Sequence, residues 1–287
     1  MTPPATTTLY EMIQEMPVLF SVFVFWLGCC IGSFLNVCIW RIPRGESVVT
    51  APSHCPKCGH HIRWYENIPL VSWLALRGKC SGCAQPITIR YFLVELLTGV
   101  LFLLVFVKVV YLGYPLTFLP LYFGLIMLAV TTAFIDFEHL IIPDRITFPT
   151  MILGLVSALV FPETWRQENH LLAASYAIFT LLGCGLVMWG VSFLGEKIFR
   201  QDAFGLGDVK YIAALGACLG PFAAFSILLI ASVAGTLIGF GAALARGKSL
   251  SRLAVPFGPF LAAATCIWII GDSFILYLFD KLLPPLP

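Results

Sequence analysis

The sequence predicts an all-α polytopic membrane protein with about eight transmembrane helices and a small cytoplasmic loop domain built on four cysteines. Three observations carry this expectation. First, 59% of the 287 residues are hydrophobic, only 11% are charged, and the mean hydropathy is +0.93, whereas a soluble domain has roughly a quarter charged residues and under half apolar ones. Second, the apolar residues fall in runs of about twenty, the length a helix needs to cross a hydrocarbon core of ~30 Å. Third, the one long polar stretch, 41–90, carries two C-x-x-C pairs. The composition excludes a soluble enzyme. A net charge of +2 is too small to neutralise a string of phosphates, so nucleic acid is not an expected partner.

Taken in order, the runs at 17–40, 91–112, 116–135, 170–194, 222–244 and 255–279 read as spans, and 141–161 and 209–221 as two further spans interrupted by Pro, Gly or charge near their ends. The first is not a cleaved signal: it exceeds a usual apolar signal core, has no Lys or Arg before it, and continues into GSFLNVCIWR. The expected division places residues 1–112, with the cysteine loop at about 41–90, in an N-terminal part and 113–287 in a second helical core.

Eight spans with the N-terminus outside put loops 41–90, 136–145, 195–210 and 245–254 inside. Those loops hold every Lys and Arg except Lys108, Arg166 and Lys281, the excess expected of cytoplasmic loops. Both termini are therefore expected outside and the cysteine loop in the cytoplasm.

That location bears on the ten cysteines. Cys29, Cys30, Cys38, Cys184, Cys218 and Cys266 lie in apolar runs, where a thiol acts as a small hydrophobe. Cys55, Cys58, Cys80 and Cys83 form the two C-x-x-C pairs, 21 residues apart. In a reducing compartment such pairs favour metal over disulfides, and the spacing matches a tetrahedral four-cysteine zinc site whose filled coordination makes it structural. His54, His60 and His61 are alternative ligands, left as surface residues because four thiolates already complete a tetrahedron.

Acidic residues at membrane depth are costly, and each is a functional candidate. Asp136 closes the third run in TTAFIDFEHLIIPDR and Asp208 opens the sixth interval in FGLGDVKYIAA, so both fall at cytoplasmic helix ends, at one depth. Two carboxylates that meet share a proton, one serving as base toward water and the other donating to a carbonyl. Gly205 and Gly207 would permit close approach before Asp208. The structural alternative makes Asp136 and Asp208 end-caps or partners of Arg145 or Lys210. Asp144 competes with Asp136 for the first role and could instead cap a helix after Pro143; geometry in sequence does not choose between them. Glu138 and His139 read as loop polar groups.

These residues resemble the type IV prepilin peptidases, bacterial membrane aspartic proteases of the G-x-G-D type. GSFLNVCIWRIPRGES at 32–47, CPKCGHHIRWYENIPLVSWLALRGKCSGC at 55–83, IRYFLVELLTG at 89–99, DFEHLIIPDRIT at 136–147 and GLGDVK at 205–210 are similar to successive family blocks. The resemblance implies catalytic roles for Asp136 and Asp208, with Gly205, Gly207, Lys210 and Asp144 supporting. It implies a bacterial inner-membrane enzyme that cuts type IV prepilins and type II secretion pseudopilins after a glycine ending a short basic leader. The new N-terminal residue would be methylated from S-adenosylmethionine, and 1–112 would be the methyltransferase region. No G-x-G-x-x-G follows a strand, and Glu46, Glu66 and Glu95, the acids near that region, read as structural carboxylates. Phe92 stands after Tyr91 where the family often has Pro. Alternatives from other classes are a polytopic transporter, which calls for acids near the bilayer midplane, and a non-catalytic pilus or secretion assembly factor docking through a zinc module.

Overall fold

The computed structural model describes residues 5–49, 53–199, 205–246 and 256–282. Among these the regular structure is helical, and extended backbone pairs only at two isolated bridges in the cysteine loop. The helices are α1 (Ala5–Glu15), α2 (Pro17–Arg41), a short α3 (Val71–Ala75), α4 (Arg90–Tyr111), α5 (Phe118–His139), α6 (Asp144–Val160), α7 (His170–Phe199), α8 (Leu206–Arg246) and α9 (Gly258–Leu282).

Among the described residues, five stretches are long and apolar enough to cross a membrane: Pro17–Arg44, Arg90–Tyr111, Phe118–His139, His170–Ile198 and Leu206–Ala242. The protein is thus a multi-pass membrane protein, but the eight spans expected from sequence are not established. For two of the expected spans the cause is geometric. At about 1.5 Å per residue, α6 has only 17 residues and opens with Asp144 and Arg145. The intervals 209–221 and 222–244 are two pieces of α8, which breaks at Gly220 (φ 83°, ψ 173°) before Pro221. The first piece is too short to cross alone. Helix α9, Gly258–Leu282, has non-helical backbone at Gly271, and its described part Gly258–Asp272 is an apolar helix. Loops 195–210 and 245–254 lie partly outside the described residues, as do Arg200, Lys248 and Arg252.

The chain divides into two compact units, Met1–Val37 with Ser47–Tyr114, and Cys38–Glu46 with Pro115–Pro287. In the first, Gly28 and Gly32 of α2 lie against Gly99 and Glu95 of α4, the small-residue contact that lets membrane helices approach closely. Val94, Phe102, Val105 and Val109 form the buried face of α4. In the second, α8 packs against α6, α7 and α9, and α5 against α6 and α9. Tyr211, Leu215, Leu125, Ile135 and Leu261 fill its interior. Helix α7 instead turns Leu171, Phe179, Leu186 and Val187 outward, as an apolar helix facing lipid does. Of the cysteines in apolar runs, Cys29, Cys38 and Cys218 are buried, but Cys30 is exposed.

Candidate functional site

The connection from α5 to α6 sets the position of the first acid. Helix α5 runs through Glu138 and His139, which are exposed residues of its last turn rather than of a loop. It ends where Leu140 turns left-handed (φ 56°) and its N–H donates to the Asp136 carbonyl at 2.9 Å. Pro143, extended, then starts α6, since a residue without an N–H suits a helix entrance. Asp136 is therefore held one turn from the end of α5, 6% exposed.

Asp208 lies in the first turn of α8, half-buried. Gly205 precedes the helix and donates its N–H to Asp208 Oδ2 at 3.1 Å. Gly207 is seated on the α5–α6 connection: a Cβ there would stand 2.8 Å from Ile142 Cβ and 3.2 Å from its carbonyl oxygen. Only a residue without that atom lets the start of α8 come this close to the chain just after Asp136. The two carboxylates are near enough to feel each other's charge. Asp136 Oδ2 accepts the buried N–H of Gly258, the first residue of α9, at 2.7 Å. Each acid thus has its Oδ2 on a backbone donor.

Contacts bear on the competing readings of Asp144, Arg145 and Lys210. Lys210 Nζ donates to Asp144 Oδ1 at 2.6 Å, joining the starts of α6 and α8, so Lys210 partners Asp144 and not Asp208. Asp144 is the first helical residue of α6, and no side-chain capping bond is made there by Pro143. Arg145 Nη1 donates to the Glu46 carbonyl at 3.2 Å. Gly258 was not among the sequence candidates. The Gly-Pro pair at 258–259 marks a helix start, but nothing in sequence joins it to a residue 122 positions earlier.

In the first unit, Cys55, Cys58, Cys80 and Cys83 place their sulfurs within 4.8 Å of one another, with Cys58 and Cys80 Sγ at 4.0 Å. Sulfurs about a zinc at ~2.3 Å would be about 3.8 Å apart, so the donor set and its spacing fit a tetrahedral metal. Two matching turns build it. The Cys55 N–H donates to His60 O and the Gly59 N–H to Cys55 O, both at 2.9 Å; the Cys80 N–H donates to Gln85 O at 2.9 Å and the Ala84 N–H to Cys80 O at 2.8 Å. Gly59 (φ 72°) and Ala84 (φ 55°) are left-handed at the same place in each turn, and the bridges His54–His61 and Lys79–Pro86 close both. The N–H groups of Lys57 and then Cys58 hold the Cys55 thiol down to about 6, so one thiolate is ready for a cation at neutral pH. Although the His60 N–H favours the Cys58 thiolate, desolvation and the neighbouring thiols carry Cys58 up to about 12.

The histidines stay outside this cluster. His60 Nε2 pairs with Glu66 Oε2 at 3.2 Å and lies 3.1 Å from Ser81 Oγ. The Arg63 N–H, followed by the Ser81 hydroxyl, holds the Glu66 carboxyl down to about 2. Glu95 accepts the Leu70 N–H at 2.8 Å, where Leu70 is itself left-handed (φ 60°).

Residues 26–109 match the bacterial peptidase A24 N-terminal domain and residues 122–240 the type IV leader peptidase family. A prepilin leader peptidase/N-methyltransferase of Dichelobacter nodosus is 36% identical over 284 residues, spanning 88% of this chain and 92% of that protein. The chain belongs to the type IV leader peptidase family. Among other relatives of this peptidase family, the Myxococcus xanthus prepilin leader peptidase/N-methyltransferase is 43% identical over 237 residues, covering 82% of this chain and 66% of its own. An Escherichia coli type 4 prepilin-like proteins leader peptide-processing enzyme is 34% identical over 272 residues, covering 88% and 95%. No solved structure matches. Both aspartates of this leader peptidase lie within the second matched region, and all four cysteines within the first.

Proposed function

We propose that the protein is a membrane aspartic endopeptidase that removes the short basic leader from type IV prepilins and pseudopilins, with Asp136 and Asp208 as its catalytic pair. The observation that supports this most is the approach of two carboxylates, from the end of α5 and the start of α8, near enough to feel each other's charge and each with Oδ2 on a backbone N–H. The Oδ1 atoms would take the shared proton and a water. One acid, ionised, takes a proton from water as the oxygen attacks the scissile carbonyl, while the other, protonated, gives its proton to the carbonyl oxygen. The tetrahedral diol then collapses: the C–N bond breaks, the nitrogen takes the proton from the first acid, and the second acid recovers one from the diol.

The two acids stand at helix ends, in the last turn of α5 and the first of α8, where a transporter would place its acids near midplane. A substrate whose basic leader stays in the cytoplasm and whose apolar segment enters the bilayer brings its scissile bond to such a boundary. The family resemblance supports a bacterial inner-membrane location; the basic residues of 41–90 support a cytoplasmic cysteine loop, and both termini would be periplasmic if the spans number eight.

The cysteine cluster would hold zinc through Cys55, Cys58, Cys80 and Cys83, as a structural clasp that supplies folding energy to a loop with little core. The division at 1–112 and 113–287 assigns the clasp to an N-terminal methyltransferase part and the acids to the peptidase core. S-adenosylmethionine is the methyl donor by family resemblance. The described residues around Glu95 do not fit it, because Gly32 of α2 closes on the Glu95 backbone and the carboxylate is engaged by Leu70. The cleavage steps above use no methyl donor. Replacing Asp136 or Asp208 by Asn and following prepilin size in membranes tests the pair: cleavage stops, since an amide cannot act as the base, and cleavage at the wild-type rate rejects the assignment.

A further inference from the structure

Resting on the peptidase reading, the geometry points to Gly258 as a positioning residue: with the first turn of α9 it fixes the orientation of Asp136 in the acid pair. The contact is direct and buried. The Gly258 N–H donates to Asp136 Oδ2 at 2.7 Å, and a hydrogen bond to a carboxylate in such a place is among the stronger ones a backbone makes. The site also needs the missing side chain. A Cβ on Gly258 would lie 2.8 Å from both Asp136 Cβ and Oδ2 and 2.9 Å from Cγ, closer than real side chains approach. Asp136 has little room to withdraw, since its carbonyl already accepts the Leu140 N–H that closes α5.

The start of α9 suits the task. Its first turn is closed by Phe257, whose carbonyl accepts the Leu261 N–H at 3.1 Å. Gly258 therefore carries one of the helix donors that has no partner within the helix, at the end where the dipole favours a negative charge. Pro259 follows, and its lack of an N–H costs nothing there.

Helix α9 is also tied to the helix that bears the other acid. Thr265, two turns beyond Gly258 and on the same face, meets Tyr211 with Thr265 Oγ1 3.0 Å from Tyr211 Oη. Tyr211 stands about one turn after Asp208 on α8. One element thus touches α5 at Asp136 and α8 close to Asp208, and so holds the pair in register.

The test uses the full chain in membranes with a prepilin substrate. Gly258→Ala introduces the clash, while an amide-to-ester exchange at 258, with glycolic acid replacing Gly258, removes the N–H and adds no atoms. Both are expected to lower kcat, by about 10²-fold for the alanine and about tenfold or more for the ester. KM of the ester protein should stay at the wild-type value, while its thermal unfolding midpoint falls modestly with the lost buried hydrogen bond. If Gly258→Ala does not accumulate as folded protein, the ester decides alone. Wild-type kcat in the ester protein, or a loss confined to KM, overturns the positioning role. Asp136→Asn separates the two layers: if it still cleaves, the peptidase pair is wrong; if it is inactive while the ester protein is normal, only the role of Gly258 is lost.

Discussion

The cysteine loop and the aspartate pair both unite residues distant in the chain, but by different means. In the loop each half is shaped by backbone bonds reaching nine residues or fewer, and the same turn is made twice, around Cys55 and around Cys80. The halves then need only meet, and a metal can supply the energy for that. In the helical core no short-range rule brings Asp208 to Asp136. Around them Gly207 lies against Ile142 and α9 touches both helices. A locally built site is insulated from the rest of the fold, whereas one built from helix ends responds to changes several residues from the reacting atoms.

The contrast can be broken most sharply at the acids. Asp136→Asn and Asp208→Asn should each reduce prepilin cleavage by about 10²–10⁴-fold while the purified protein keeps the metal content of the wild type; a parallel fall in metal would mean that the sites are not independent. Next in size, Cys55→Ser or Cys80→Ser should release the metal, measured by elemental analysis, and leave the loop open to protease. Cleavage should fall far less than in the aspartate variants. A metal-free wild type with a protease-resistant loop would remove the clasp from the comparison.

Gly207→Ala should cost about 1–3 kcal/mol through overpacking on Ile142, seen as a lower unfolding midpoint and a partial loss of cleavage at unchanged metal content. Normal melting and cleavage would show that the approach of α8 to the α5–α6 connection is not sensitive to one methyl group. The smallest effect is expected at Ala84, left-handed where the matching turn has Gly59. Ala84→Gly should stabilise the loop by about 0.5–1 kcal/mol, raising the denaturant concentration at which metal is lost without altering cleavage. An unchanged midpoint would mean that the two turns, alike in bonding, are not alike in strain.

The sequence by itself determined the helical membrane class, the four-cysteine grouping and the acids worth considering. Apolar run length and C-x-x-C spacing express forces that act over a few residues, namely exclusion from water and closure of short turns. Even the break at Gly220–Pro221 was legible, but not that its first piece joins α8 as a fragment too short to be a span. Only the tertiary structure decided that Lys210 partners Asp144, that Gly207 rests on Ile142 and that Gly258 holds Asp136. Those contacts depend on which faces of separate helices pack together, and the single glycine or carboxylate that makes each one looks, along the chain, like any other.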